Sequence, residues 1–126
     1  MLSRITTKGR EVVLDLSLMT LLELAESYGE DVTTFTEKIS ERIGKPIEGL
    51  VMTTRFAAIA INDGAIREGR TERVTEWDVR DMMTEDPELA QPLVEAIVKL
   101  VTGGEQVFPT AATASPKKTK RTTGED

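Results

Sequence analysis

Apolar residues recur along most of this chain, first with the period of a strand and then with the period of helices. Val12, Leu14 and Leu16 occupy alternate positions, as expected of a half-buried strand. With the segment before them, they predict a β-hairpin over residues 2–16. Gly9 is expected to supply the positive φ of its tight loop. Because a lone hairpin is only marginally stable, we expect it to pack on a helix.

Apolar positions spaced by three and four residues predict five helices after the hairpin. The predicted ranges are 18–28, 35–43, 46–68, a fourth helix from Thr75 and a fifth from Pro92. Gly29 is placed to end the first helix in a left-handed conformation. Thr34 and Glu37 form a capping-box pattern that predicts the start of the second helix. Gly103-Gly104 is expected to end the last helix.

The fourth predicted helix carries its own start signals. Thr75 and Asp78 have the spacing of a short capping box, and Val74 and Val79 are placed as a hydrophobic staple. Asp86-Pro87 is expected to break the chain after this helix.

The helix predicted over residues 46–68 is apolar on two sides. Its main stripe consists of Ile47, Leu50, Val51, Ala57, Ala58, Ile61 and Ala65. Its second stripe, on roughly the opposite side, consists of Met52, Phe56, Ile59 and Ile66. A polar seam separates them, formed by Glu48, Arg55 and Asn62. Since a helix apolar on two sides is usually central to its fold, we expect this helix to be the most buried element.

The pattern as a whole predicts a mainly α fold with a small N-terminal β-hairpin, an α+β arrangement. Residues 1–104 are expected to form one compact domain, because 126 residues with 39% hydrophobic content suit a single modest core. Residues 105–126 are rich in Thr, Ala, Ser and Pro and show no apolar period. They are expected to form a flexible, disordered tail.

Charge divides the chain in the same place. Residues 1–104 hold 12 Lys and Arg against 19 Asp and Glu, whereas the tail holds four against three. An acidic domain repels a phosphate backbone, so nucleic-acid binding by the fold is not expected. The basic run Lys117-Lys118-Thr119-Lys120-Arg121 either attracts an anionic partner weakly or only solubilises the terminus, and the second interpretation is favoured.

Composition also limits the chemistry that this protein can perform. The chain has no cysteine and no histidine, so disulfides, thiolate metal sites and histidine catalysis are excluded. Carboxylates pair at helical spacing at Glu23/Glu26, Glu37/Glu41 and Asp78/Asp81, where solvated helix faces are the favoured interpretation. Asn62-Asp63-Gly64 lacks the remaining ligands of a calcium loop and is expected to loosen or kink its helix. We therefore expect no catalytic, cofactor or metal site.

No segment has the pattern of a signal peptide or of a membrane span. The start of the chain lacks an apolar run, and the longest nearly apolar stretch, residues 56–61, is far too short to cross a bilayer. The sequence thus predicts a soluble intracellular protein with no membrane partner.

The candidate partner-binding residues are the second stripe, Met52, Phe56, Ile59 and Ile66, followed by Trp77 and Met82. The hairpin and three helices can cover the main stripe, and an uncovered second stripe would form an apolar interaction patch. Three alternatives stay open. The last two helices can bury this stripe, Trp77 can lie in the core under the staple, and Met82-Met83 can fill the core.

Residues 10–101 resemble the tail assembly chaperones of long-tailed phages and related gene-transfer particles. The run Glu11-Val12-Val13-Leu14-Asp15-Leu16-Ser17-Leu18-Met19-Thr20-Leu21-Leu22-Glu23-Leu24 is similar to their opening, in which a β-segment leads into a helix with a Leu-Glu pair. Gly29 follows soon after, as it does in that family. The central helix, the helix start Val74-Thr75-Glu76 and the low-complexity end are similar too.

The resemblance implies that this protein binds the tape-measure protein in the host cytoplasm and keeps it soluble until tail-tube subunits polymerise around it. It also implies absence from the mature virion. Many members occur additionally as a longer form made by ribosomal frameshifting, and Lys117-Lys118 is compatible with a slippery site. The implied further partners are the major tail tube protein, a frameshift-extended form of the chain and further copies in a homo-oligomer.

Two other functions fit a small acidic domain without chemistry. One is a structural tail or neck protein that stays in the virion, and the other is a small regulatory adaptor of the antitoxin kind. An enzyme is the least favoured class. Gene neighbourhood separates these hypotheses, because a chaperone gene lies just upstream of a very long tape-measure gene.

Overall fold

The computed structural model describes residues 1–107 and shows a mainly helical fold that opens with an antiparallel hairpin. Its elements are β1 (Leu2–Thr6), β2 (Glu11–Asp15), α1 (Leu18–Ser27), α2 (Val32–Ile43), α3 (Pro46–Arg67), α4 (Glu76–Glu85), a short 3₁₀ turn (Pro87–Leu89) and α5 (Ala90–Val107). The predicted fold class is therefore confirmed. Residues 108–126, to which most of the predicted disordered tail belongs, lie outside the described residues.

The hairpin pairs with Ile5 opposite Val12 and Ser3 opposite Leu14, and it buries the alternate positions predicted for β2. Its loop is closed by the Thr7 amide, which donates to the Arg10 carbonyl over 2.9 Å. The prediction of a positive φ at Gly9 is wrong, because this four-residue loop turns with a negative φ there. Among the described glycines, positive φ occurs at Gly29, as predicted, and at Gly69.

Side-chain caps set the helix starts. In α2, Asp31 accepts the Thr34 amide over 2.7 Å, so the helix begins at Val32, three residues earlier than predicted. The capping box expected at Thr34 is wrong because Asp31 is a stronger cap and its use brings Val32 against the core. In α4 the capping box of Thr75 and Asp78 is confirmed, with both reciprocal hydrogen bonds present.

Both predicted ends of the last helix are wrong. The break at Asp86-Pro87 is confirmed, but the chain continues through the 3₁₀ turn directly into α5 at Ala90. Pro92 is tolerated because first-turn amides have no partner within the helix. At the other end, α5 passes through Gly103-Gly104 to Val107. Glycine weakens a helix by about 1 kcal/mol per residue and does not by itself end one.

Helix α3 lies at the centre and packs against β2 and all four other helices. It carries more buried residues than any of β1, β2, α1, α2 or α4. The prediction that Asn62-Asp63-Gly64 loosens or kinks its helix is wrong. These residues continue the α-helix, and Gly64 packs against β2. A Cβ on Gly64 would lie 3.0 Å from the Val13 carbonyl oxygen, so glycine lets the β2 backbone lie directly against α3.

Candidate functional site: an apolar corner between α2 and α3

The second stripe of α3 does not form a binding surface. Met52 and Phe56 are fully buried, so the expectation that they are exposed to a partner is wrong. The reason is that α4 and α5 both pack on α3 and join these side chains to a core that includes Val79 and Leu93. Ile59 is partly buried against the same core. The alternative of burial by the last two helices is the one that the structure shows.

The other three predicted partner residues lie apart from that buried pair. Ile66 is 59% exposed near the end of α3, and Trp77 is 71% exposed in the first turn of α4. Trp77 therefore does not lie in the core, which was the open alternative for it. Its ring stacks with Arg80, whose guanidinium carbon lies 4.9 Å from the ring centroid. Met82 is partly buried against the core. The structure does not assemble the six residues into one surface.

Exposed apolar side chains occur instead at the start of α3. Ile47 is 78% exposed and Leu50 is 52% exposed, although both belong to the main stripe that was predicted to be core. The junction between the end of α2 and the start of α3, which we name the corner, explains this difference. A Cβ on Gly49 would lie only 2.7 Å from the Ile43 carbonyl oxygen, so α2 and α3 meet here backbone to backbone. Because no side chains fill that junction, the neighbouring apolar residues remain outside it.

Leu50 borders a cleft between this corner and the helices α4 and α5, which we name the corner cleft. Its volume is about 240 Å³. Its lining is largely apolar and consists of Ile43, Gly44, Lys45, Pro46, Gly49, Leu50, Thr53, Met83, Ala90 and Val94. Sequence reasoning missed it because the lining comes from four helices, and only the glycine in the first turn of α3 hints at a close helix corner.

Ile47 borders a second cleft on the other side of the corner, which we name the tyrosine cleft. Its volume is about 420 Å³, and its lining is more polar: Tyr28, Lys38, Glu41, Arg42, Lys45, Ile47, Glu48 and Val51. Lys45 lines both clefts, so the two adjoin around the corner. Together they form one continuous candidate surface over residues 43–51.

Two arginine guanidinium groups stack on the tyrosine ring that lines the tyrosine cleft. The guanidinium carbons of Arg42 and Arg55 lie 4.5 and 4.7 Å from the centroid of the Tyr28 ring. Arg42 also donates two hydrogen bonds to Glu30, over 2.7 and 2.6 Å. These bonds lower the pKa of Glu30 to about 2, so the ion pair persists at any physiological pH. This surface offers apolar contact beside a rigid Arg–Tyr edge, which suits protein binding.

Charged groups also cluster where α1 meets α3. Burial raises the pKa of Glu23 to about 7, with the Asp63 carboxyl hydrogen-bonded to it and negative charge on Asp63, Glu26 and Asp15 adding to the effect. After burial, Asp63 on another helix contributes more to the raised pKa of Glu23 than Glu26 does. Sequence spacing had paired Glu23 with Glu26. Among residues 1–107, no three Asp or Glu side chains are arranged to hold a metal ion.

Asp15 alternates with Leu14 and Leu16 along the chain, yet it is buried too, at this junction. Burial raises the pKa of its carboxyl, but hydrogen bonds from Arg67 (2.8 Å), Ser17 (2.9 Å) and the amino group of Met1 (3.1 Å) outweigh burial and hold the pKa below its ordinary value. The cluster therefore links the hairpin to α3, and its position indicates a structural role.

Within the described part of the chain, no helix combines the length and the apolar character needed to cross a membrane. Comparison with known protein families, with curated proteins and with solved structures finds no match to this chain.

Proposed function

We propose that this protein is a tail assembly chaperone that binds an amphipathic helix of the tape-measure protein at the α2–α3 corner. The observation that supports this proposal best is the exposed pair Ile47 and Leu50, set beside two adjoining clefts. The sequence resemblance to tail assembly chaperones supplies the identity of the partner. Both lines favour a protein-binding domain over an enzyme.

The corner has the form of a helix-binding surface. A partner helix presents apolar side chains at positions i, i+3, i+4 and i+7, and the two clefts can each accept such an anchor on one side of the corner. Met83 adds an adaptable wall to the corner cleft, which suits a client with many similar segments. The negative charge of the domain keeps a complex with an aggregation-prone client in solution.

The setting of this activity follows from the same proposal. The chaperone acts in the host cytoplasm, is displaced when tail-tube subunits assemble and does not remain in the mature virion. A structural tail or neck protein would instead be found in purified particles. A regulatory adaptor would leave the solubility of the tape-measure protein unchanged. Mass spectrometry of particles and a solubility assay therefore separate the three functions.

Co-expression with the tape-measure protein tests the proposed surface. We expect the double variant Ile47→Ser/Leu50→Ser to leave most of the tape-measure protein insoluble and to weaken binding at least about tenfold, since anchor truncations typically cost more than about 1 kcal/mol each. Its melting temperature should stay near that of the wild type because both side chains are already exposed.

Ile66→Ser is the matched control, since it removes an exposed isoleucine from the far end of the same helix. It should bind the tape-measure protein as the wild type does. Loss of binding in this control with full binding in the corner variant would contradict the proposed surface. Phe56→Ser cannot serve in this test, because its side chain is fully buried and its loss is expected to unfold the domain.

A further inference from the structure

The outer side of α1 carries two exposed apolar residues, and Glu23 is the member of this side that contacts α3. Met19, Leu22, Glu23 and Glu26 are separated by three, one and three residues, so they share one side of the helix. Met19 is 58% exposed and Leu22 is 36% exposed. The buried residues of α1 lie on its other side: Thr20, Leu21, Leu24 and Ala25. We name the four outer residues the α1 face.

The surroundings of the α1 face are negative. Residues 11–37 contain seven Asp and Glu and not one Lys or Arg. Glu11, Asp15 and Glu30 pair with basic residues of other segments, so the uncompensated charge lies at the other four. Asp63 of α3 adds a further carboxylate beside Glu23 and accepts a hydrogen bond from Thr20 over 3.0 Å. Within residues 1–107, no Lys or Arg forms an ion pair with Glu23, Glu26 or Asp63. A ligand of this face must therefore be basic and must tolerate apolar contact.

We infer that the basic segment Lys117–Arg121 of the same chain binds the α1 face. This segment places four positive charges within five residues, the densest positive run in the sequence. Its charge complements that of the α1 face, and the aliphatic stems of its lysines can lie along Met19 and Leu22 while their ammonium groups reach Glu23 and Glu26.

The stretch between α5 and the basic segment is long compared with α1. Nine residues, 108–116, lie between Val107, where α5 ends, and Lys117. The ten residue steps from Val107 to Lys117 can span about 33 Å when extended. A ten-residue helix such as α1 is about 15 Å long, roughly half of that reach. Helix α1 packs against α5, so the segment starts from a neighbouring element. A short flexible linker typically gives a tethered segment an effective concentration of about millimolar.

This contact does not depend on the identity of the partner at the corner. It is an exposed, multiply charged contact, so it should form at low ionic strength and be released by salt. At about 0.5–1 M salt, screening acts over only about 3–4 Å, which removes most of the attraction between exposed charges.

NMR spectroscopy of the full chain tests the inference. The tail variant Lys117→Ser/Lys118→Ser/Lys120→Ser/Arg121→Ser removes the positive charges and leaves the described domain unchanged. At low salt, we expect the amide resonances of α1 to differ between the wild type and the tail variant, and to coincide near 1 M salt. Coincidence of the α1 resonances at low salt would overturn the inference.

A matched pair of domain variants tests the location of the contact. Glu23→Gln/Glu26→Gln should abolish the salt-dependent shifts of the tail resonances. Glu37→Gln/Glu41→Gln replaces two exposed carboxyls on α2 in the same way and should preserve them. Equal loss in both variants would show non-specific attraction and overturn the inference. Shifts that grow with protein concentration would assign the contact to a second copy and would also overturn it.

Discussion

Two glycines of α3 set how closely its neighbours approach. Gly64 admits the β2 backbone, and Gly49 admits the end of α2, where an added Cβ would lie 2.7 Å from a carbonyl oxygen. A backbone oxygen cannot swing aside as a flexible side chain does, so a methyl group at Gly49 must push the two helices apart. The geometry of the corner cleft thus depends on the absence of one side chain.

Gly49→Ala should lower the free energy of unfolding by about 1–3 kcal/mol, because overpacking outweighs the gain in helix propensity. Urea denaturation measures this change. Gly44→Ala is the control, since its Cβ would meet the nearest backbone oxygen at 3.4 Å and its backbone is already α-helical. Equal stability of the two variants would show that the corner is not close-packed at Gly49.

At the scale of elements, one side chain fastens α4 to α3. The Asn62 side-chain amide donates to the Val74 carbonyl over 2.9 Å, and its oxygen accepts the Val74 amide over 2.8 Å. Val74 directly precedes Thr75, which caps α4. The polar seam that the sequence showed on α3 therefore includes a structural tether, which fixes where α4 begins.

Asn62→Ala should cost about 1–3 kcal/mol of stability, because it leaves two partly buried backbone groups without partners. Hydrogen exchange should accelerate first in α4, whose start the tether fixes. Gln91→Ala is the control, since that exposed amide bonds only to Glu95 one turn along α5. Exchange that accelerates uniformly over the whole domain would contradict a local tether.

The elements also show what the sequence could and could not predict. The capping box of α4 was predicted correctly because both of its halves lie within four residues. The start of α2 was missed because Asp31 and Thr34 are competing caps, and burial of Val32 favours the first. Exposure along α3 was predicted wrongly at Phe56 and Leu50 for one reason. Periodicity shows which residues share a side, but only the positions of the other helices decide which side is covered.

At the scale of the molecule, negative charge is unevenly distributed. The run from Glu11 to Glu37 contains α1 and no basic residue, and Glu23 meets the carboxyl of Asp63 there. The raised pKa of Glu23 means that its ionised form is less stable in the folded chain than in the unfolded chain. Its ordinary pKa of 4.5 applies to the unfolded chain, and the folded value is about 7. Stability from this group is therefore complete below pH 4.5 and is lost as the pH rises through about 7.

Glu23→Gln removes this dependence, so the variant should match the wild type near pH 4.5 and exceed it above pH 7.5 by about 1 kcal/mol. The full equivalent of the pKa shift, 1.36 kcal/mol per unit, is larger, but the carboxyl is partly solvated. Urea denaturation across this pH range, at about 0.5 M salt to screen contacts with the basic segment, measures the difference.

Glu37→Gln, on an exposed face of α2, should show no such rise. Asp63→Asn should produce part of this rise, because the hydrogen bond and the negative charge of Asp63 add to burial in raising the pKa of Glu23. A stability difference between Glu23→Gln and the wild type that is constant with pH would show that the pKa of Glu23 is not raised in the folded chain.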